Sequence, residues 1–291
     1  MSNCKEKDGV IRVCLTHDVD RVRKTYQYVT KTGKTLLKGR FGRAWKMLKE
    51  GFGSGSPYWG FDTVIDIENK YDVKSTFFFL EESAKVQWWN PTSYKIAMGR
   101  YHVNEPKVAE MMRYLDANGW EIGLHGSYYS YDNSELLKRE KIAIEDVLGH
   151  EIMGIRQHYL NWNEKTWERQ KEAGFKYDST WGFTRAIGYK ENKVAPFFPC
   201  GNSDFCEIPL VIMDSCFDND SDRWDKLEQL ITQADKENGI LVINFHTNNF
   251  DEVEFPMYKR NYMRLIETLQ ARGAEFLTMK EAYQKVISHA L

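Results

Sequence analysis

Short apolar runs alternate with longer amphipathic stretches along most of this chain. An apolar run of about four to eight residues is typical of a strand buried on both faces, and an amphipathic stretch of about ten or more is typical of a helix. The alternation therefore predicts parallel strands joined by helices that cover them. The predicted strands lie at residues 11–16, 74–80, 121–124, 175–178, 207–211, 240–246 and 275–277.

The stretches between these strands carry helix start and stop signals. Residues 106–118 begin at a proline and are followed by Gly119, and their apolar residues recur at helical spacing. Residues 134–148 repeat the pattern, while residues 163–173 and 221–238 each have a capping residue in front and a glycine behind. The length of 291 residues suits one α/β barrel or two small domains. Because no repeat or low-complexity tract divides the chain, one domain with one insertion is favoured.

The charge distribution is balanced overall but uneven locally. The formal net charge is -2, which argues against a nucleic-acid partner because phosphate neutralisation needs clustered cations. Between residues 21 and 50, however, ten Lys or Arg residues stand against the single acid Glu50. We interpret this segment, part of an insertion at about residues 21–60, as a solvated surface. The alternative is contact with an anionic glycan or a membrane surface. The residues of that contact would be Arg40, Arg43, Trp45 and Lys46.

The remaining composition predicts a cytoplasmic protein. The first ten residues are polar and charged, unlike a signal peptide, and no window approaches the roughly 18 apolar residues of a membrane span. The five cysteines are odd in number and lack CxxC spacing, so neither a disulfide framework nor a zinc knuckle is indicated.

Acidic and imidazole side chains stand at the ends of three predicted strands. Asp18 and Asp20 follow the first strand, His125 follows the third, and His246 ends the sixth. The carboxyl ends of parallel strands meet at one face, which is where α/β barrels hold their chemistry. If the chain stays extended, alternation directs Asp18 and Asp20 to the same side. Two such carboxylates can bind a metal together, or one can bind metal while the other acts as a base.

These segments resemble the ordered motifs of the polysaccharide deacetylase family, the NodB-homology carbohydrate esterases. The resemblance covers most of the chain between residue 13 and about residue 246. It implies a single distorted (β/α) barrel of the deacetylase type, with about seven parallel strands, over residues 1–291. It also implies hydrolytic, metal-dependent removal of an N-acetyl group from an amino sugar. The segments that carry it are THDVD at 16–20, HGSYY at 125–129, GIRQHY at 154–159 and the strand ending at His246.

The resemblance implies a catalytic base and a proton donor. Asp18 would be the base, and Arg156 would hold that carboxylate oriented and ionised. His246 would donate the proton to the departing amine. An acid supports this histidine in the family, and the sequence offers both Asp214 and Asp178. Asp214, which follows an apolar strand, is favoured.

The resemblance also implies a divalent metal, zinc or else cobalt or nickel, held by one aspartate and two histidines. Asp20 and His125 would be two of the ligands. The sequence departs from the usual family pattern twice, because Val19 separates aspartates that are normally adjacent and Tyr129 stands where a second histidine is expected. His158 could bring a replacement imidazole, whereas Tyr129 or water would fill the position more weakly.

The expected partner is a carbohydrate or a glycolipid, namely an acylated amino sugar in a glycan, a glycolipid or a sugar precursor. Flat aromatic rings suit the apolar faces of sugars, although such rings also fill protein cores. The aromatic residues predicted to bind substrate are Tyr129, Tyr159, Trp162 and Trp181. Two alternatives stay open: a non-catalytic glycan-binding homologue, and an amidase or esterase acting on another acyl substrate.

Overall fold

The computed structural model describes residues 10–50, 56–201 and 204–288, and its centre is one sheet of parallel strands. The strands are β1 (Arg12–Val19), β2 (Thr76–Leu80), β3 (Glu121–Gly126), β4 (Gly154–Gln157), β5 (Tyr177–Asp178), β6 (Cys206–Glu207), β7 (Leu210–Met213), β8 (Ile240–Asn244) and β9 (Glu275–Phe276). The helices are α1 (Gln27–Leu37), α2 (Phe41–Glu50), α3 (Phe61–Tyr71), α4 (Pro91–Ala97), α5 (Pro106–Ala117), α6 (Ser134–Leu148), α7 (Thr166–Glu172), α8 (Asp214–Asn219), α9 (Arg223–Lys236), α10 (Tyr258–Ala271) and α11 (Met279–Ile287).

The strand order bends the sheet into a distorted barrel. The order is β6, β5, β4, β3, β2, β1, β8, β7, with β9 paired to β1. The two outermost strands, β6 and β7, are separated along the chain only by Ile208 and Pro209, so the chain itself joins the two ends of the sheet. Proline has no N–H to donate and cannot continue a ladder. The predicted (β/α) barrel is therefore confirmed.

Within the described residues the sheet contains nine strands rather than about seven. One predicted strand, at 207–211, is divided at Pro209 into β6 and β7, which pair with β5 and β8 respectively. Apolar runs alone do not predict the strand β4, because Arg156 and Gln157, both buried, interrupt any apolar run there. The strand β1 continues to Val19, three residues past its predicted end.

Both faces of the sheet bury aromatic and ionisable side chains. Phe77 and Phe79 on β2 pack against Phe61 of α3, with ring centroids 6.0 and 5.8 Å apart respectively. Phe78 points the opposite way, and the Arg156 guanidinium lies over its ring at 4.6 Å. The helix-facing layer therefore holds aromatic rings together with the buried His17–Glu68 pair, and the interior of the barrel holds Arg156.

The basic segment after β1 forms the helices α1 and α2, where the charge pattern alone predicted only an insertion. Of that predicted insertion, residues 51–55 lie outside the described part of the chain. The single-domain organisation stays a prediction. Among the residues that the structure describes, no helix is long and apolar enough to cross a membrane.

Candidate active site

A cavity of about 260 Å³ opens at the carboxyl ends of the barrel strands. Its lining includes Asp18 from β1, Asp20 just after it, and His125 from β3. His158 and His246, which follow β4 and β8, complete the set of carboxylate and imidazole side chains there. Because neighbouring parallel strands end at the same edge, residues that are far apart in the sequence meet at this point.

Asp18 is buried, and each oxygen of its carboxylate accepts a hydrogen bond. Arg156 donates from Nη1 to Oδ1 at 3.0 Å, and Asn244 donates from Nδ2 to Oδ2 at 3.0 Å. Burial raises the pKa of this carboxyl, but the charges of His125, Arg156 and His246 outweigh burial and lower the pKa below its usual range. Asp18 is therefore held ionised, which is the state in which a carboxylate can accept a proton.

Arg156 is fully buried, and its N–H groups donate hydrogen bonds to several partners. Nε and Nη2 donate to the carbonyl and the hydroxyl of Ser179, both at 3.0 Å. Nη1 donates to Thr16 Oγ1 at 2.8 Å as well as to Asn244 Oδ1 and to Asp18, both at 3.0 Å. The guanidinium thus contacts one oxygen of Asp18, and Asn244 supplies the bond to the other.

Asp20, His125 and His158 form a cluster that fits a metal ion. One ligand atom from each residue lies within 4.8 Å of the others, and both Nε2 atoms are 3.4 Å from Asp20 Oδ1. The Nδ1 atom of His125 is 2.9 Å from the Arg156 carbonyl oxygen, which requires a proton on Nδ1 and directs Nε2 towards the cluster. One carboxylate oxygen and two imidazole nitrogens are ligands suited to zinc, cobalt or nickel.

Two further observations support the fit of this cluster to a cation. Asp20 Oδ1 is buried and accepts no well-aligned hydrogen bond within the described part of the chain. Burial lowers the pKa of His158 to about 4, although the charge of Asp20 opposes that shift, so its imidazole is neutral near pH 7. A neutral imidazole is the form that binds a metal.

His158, and not Tyr129, stands beside Asp20 in this cluster. Tyr129 is half exposed, packs against Tyr128 with ring centroids 4.9 Å apart, and is not among the residues that line the cavity. His158 reaches the cavity through a sharp turn after β4, in which Tyr159 and Leu160 adopt positive φ angles of 60° and 53°. Positive φ is costly for such side chains and is found where surrounding structure enforces it.

His246 is paired with Asp214, one of the two acids that the sequence left open. Asp214 Oδ2 is 2.9 Å from His246 Nδ1, accepts the His246 backbone N–H at 2.9 Å, and accepts the Tyr258 hydroxyl. Asp178 lies elsewhere, buried on β5. Burial lowers the pKa of His246, but the charge and hydrogen bond of Asp214, together with the charges of Asp20 and Asp18, raise it to about 10. The imidazole is therefore protonated at neutral pH.

The family model for polysaccharide deacetylase matches residues 57–177 of this chain. The resemblance to the polysaccharide deacetylase family is confirmed. The matched range contains His125, Arg156 and His158, and it begins after Asp18 and Asp20. No curated protein matches the chain.

Two crystal structures show that the fold is shared beyond this chain. A protein from Mycobacterium smegmatis assigned as a polysaccharide deacetylase has a TM-score of 0.58 and 17% identity, covering 98% of this chain and 93% of that one. The allantoinase Puue also has a TM-score of 0.58, with 12% identity and coverage of 96% and 90% respectively. At such identities the likeness concerns the deacetylase fold alone.

The predicted sugar-binding aromatic residues separate into two groups. Tyr159 lines the cavity, and its ring centroid is 4.4 Å from that of His158. Trp162 and Trp181 are not among the lining residues; their ring centroids are 5.0 Å apart, and both rings pack against Trp167. Mutual packing thus accounts for the positions of the two tryptophans in this deacetylase fold.

Proposed function

We propose that this chain is a metal-dependent hydrolase that removes an N-acetyl or related acyl group from an amino sugar. The observation that carries the proposal is the meeting, in one cavity, of a possible ligand set, an ionised Asp18 and a protonated His246. Hydrolysis of an amide by water needs a base to take a proton from water and an acid to protonate the departing nitrogen. The choice of an amino sugar in a glycan, glycolipid or sugar precursor follows the family match.

The first group of residues would prepare the attack. Asp20, His125 and His158 would hold a divalent metal. Such a metal, when bound, would lower the pKa of a water molecule and polarise the acyl carbonyl. Asp18 accepts a proton from the attacking water while the water oxygen bonds to the carbonyl carbon. Arg156 keeps Asp18 ionised until that transfer.

His246 and Asp214 would complete the reaction. When the carbon–nitrogen bond breaks, the leaving nitrogen gains a proton and departs as an amine. His246 holds its Nδ1 atom against Asp214, so Nε2 is the atom from which that proton can leave. Asp214 stabilises the imidazolium before transfer and fixes the orientation of the ring.

The decisive experiment compares metal content with acyl release. The purified protein and His125→Ala are analysed for bound metal, and then assayed for acetate release from small N-acetylated amino sugars with zinc, cobalt or nickel added. We expect stoichiometric metal and acetate release in the parent protein, and loss of both in His125→Ala. His102→Ala is the matched control, because His102 is exposed and bonds to Glu81 away from the cavity. Sugar binding with no metal and no acetate under any addition would favour the non-catalytic glycan binder.

A second candidate is hydrolysis of an amide outside any sugar. The equal TM-score of the allantoinase structure favours testing it, since the same barrel there belongs to an enzyme named for a different substrate. Allantoin, linear N-acyl amides and an O-acetylated sugar are therefore run in the same assay. Turnover of one of these, with N-acetylated amino sugars inert, would replace the amino-sugar assignment while keeping the roles of the cavity residues.

A further inference from the structure

The helix α2 buries one apolar face and exposes another. Ala44 and Met47 are buried, and Met47 Sδ accepts a hydrogen bond from Thr35 of α1 at 3.6 Å. Phe41, Trp45 and Leu48, spaced four and three residues apart, form a second stripe on the helix that faces solvent. A helix needs only one apolar face to pack against a protein core, so the outer stripe lacks a structural role among the described residues.

The turn between α1 and α2 extends this outer face. Leu37, the last residue of α1, is 89% exposed, and Phe41 and Trp45 are 69% and 63% exposed. Leu36 and Val29 on α1 are exposed as well. Exposed large apolar side chains are ordinary when scattered singly, but a contiguous group marks an interaction site.

Cations surround this apolar face. The exposed basic residues of the two helices and their turn are Lys34, Lys38, Arg40, Lys46 and Lys49. Within residues 10–50, 56–201 and 204–288, none of these five forms an ion pair, whereas Lys31 pairs with Glu254 at 2.7 Å. Their charge is therefore available to an external anion.

We propose that the hairpin formed by residues 27–50 docks the protein on an anionic lipid bilayer. Aromatic and aliphatic side chains flanked by Lys and Arg are the composition of helices that lie in the interfacial region, with the apolar face among the acyl chains and the cations among anionic headgroups. A soluble polyanionic glycan would engage the cations but would leave Leu37 and Phe41 in water. A second copy meeting through the same face would bring the two sets of cations together.

The hairpin is fixed at the same end of the barrel as the cavity. The strand β1 delivers Asp18 to the cavity, and α1 begins at Gln27 soon afterwards. Lys24 and Lys31 then form ion pairs with Asp251 and Glu254 in the segment that follows His246. A docked molecule would hold its cavity close to the headgroups, which suits a lipid-linked amino sugar. That consequence rests on the proposed function, whereas the docking itself does not.

Vesicle sedimentation tests the docking without any assay of activity. The full chain is mixed with vesicles of phosphatidylcholine alone, or of phosphatidylcholine with about one third phosphatidylglycerol, at low and high salt. We expect binding to the anionic vesicles that weakens with salt. Leu37→Ser with Phe41→Ser should weaken binding at least about tenfold, because apolar area is no longer buried. Lys38→Gln with Lys46→Gln should weaken it about fivefold for each cation removed.

Matched substitutions outside the hairpin serve as controls. Ile142→Ser with Ile287→Ser replaces exposed apolar residues of α6 and α11, and Lys165→Gln with Lys236→Gln removes cations outside the hairpin. Both control pairs should bind as the parent does, and every variant should keep the parent melting temperature. Equal binding by the control and hairpin variants would overturn the proposal. So would binding to a soluble polyanion such as alginate without vesicle binding, or self-association that the Leu37→Ser and Phe41→Ser changes abolish.

Discussion

Two charge pairs at the cavity each join an aspartate to a cationic side chain, but they have opposite uses. In the first pair Asp18 accepts a hydrogen bond from Arg156, and in the second Asp214 accepts one from His246. A guanidinium does not release its proton at accessible pH, so the first pair keeps a carboxylate ionised and ready to accept a proton. An imidazolium does release its proton. In the second pair the carboxylate makes the largest contribution to raising the pKa of His246, which is about 10, and so keeps a proton ready to be donated.

A third buried pair shows what happens when the cation is missing. Asp178 and Glu207 face each other in register on β5 and β6. Burial raises the pKa of both carboxyls, and the charge of Asp178 raises that of Glu207 further. Neither forms an ion pair with Lys, Arg or His among the described residues. Burial alone therefore favours a neutral carboxyl, and the cation partner is what makes Asp18 and Asp214 anionic.

The largest expected effect follows from removing the proton acceptor. Asp18→Asn keeps the shape of the side chain and an oxygen for Arg156, but it leaves no group that can accept a proton. We expect kcat/KM for acetate release to fall by about 10³- to 10⁴-fold, with bound metal unchanged because Asp18 lies outside the ligand cluster. Asp116→Asn is the matched control, since Asp116 is a partly exposed carboxylate on α5 that bonds to His150. A loss of less than about tenfold would mean that Asp18 is not the base.

The second pair predicts a change in pH dependence. In the parent protein the donor form of His246 persists until the pH approaches about 10, so kcat/KM should decline only at that alkaline limit. Asp214→Asn removes the charge that raises this pKa, and the decline should move down towards the ordinary histidine value of 6.5. Activity at pH 8 should then fall by about tenfold or more.

Tyr258→Phe is the matched control for this pH experiment. It removes one hydrogen bond to Asp214 but leaves the carboxylate charge in place, so the alkaline decline should stay near its parent position. Melting temperatures of both variants separate loss of folding from loss of the acid. An alkaline limit that Asp214→Asn does not shift would show that His246 is not the proton donor, and the contrast between the two pairs would fail.

The sequence was sufficient for the barrel and for the residues at its strand ends. Alternating apolar runs predicted parallel strands, and that geometry alone requires Asp18, His125 and His246 to meet although they are more than a hundred residues apart. The direction of the strands is enough to predict that these residues meet, because the carboxyl ends of parallel strands lie at the same end of the barrel. Apolar runs did not predict the β4 strand, because its buried polar residues hide the apolar pattern.

Side-chain destinations beyond the strand ends could not be predicted in the same way. A turn with positive φ angles determines that His158 rather than Tyr129 approaches Asp20. No local sequence pattern predicts that turn. Trp162 and Trp181 were as plausible at a sugar site as in a packed cluster, since aromatic rings suit both. Asn244 was overlooked, although it lies two residues before His246, where alternation places both side chains on the same side of the sheet.

The smallest expected effect concerns Asn244, a positioning residue for the first pair. Its Nδ2 donates to Asp18 Oδ2, and its Oδ1 accepts the Asp18 backbone N–H at 3.1 Å. Asn244→Leu keeps the volume but removes both bonds, so Asp18 should be less well oriented and its pKa should rise towards the usual value. We expect kcat to fall by about three- to tenfold with KM and metal content unchanged. Thr16→Val, which leaves both Asp18 bonds in place, should have a smaller effect. If the two substitutions lower kcat equally, Arg156 alone orients Asp18. The Asp18–Arg156 pair would then need no bond from Asn244.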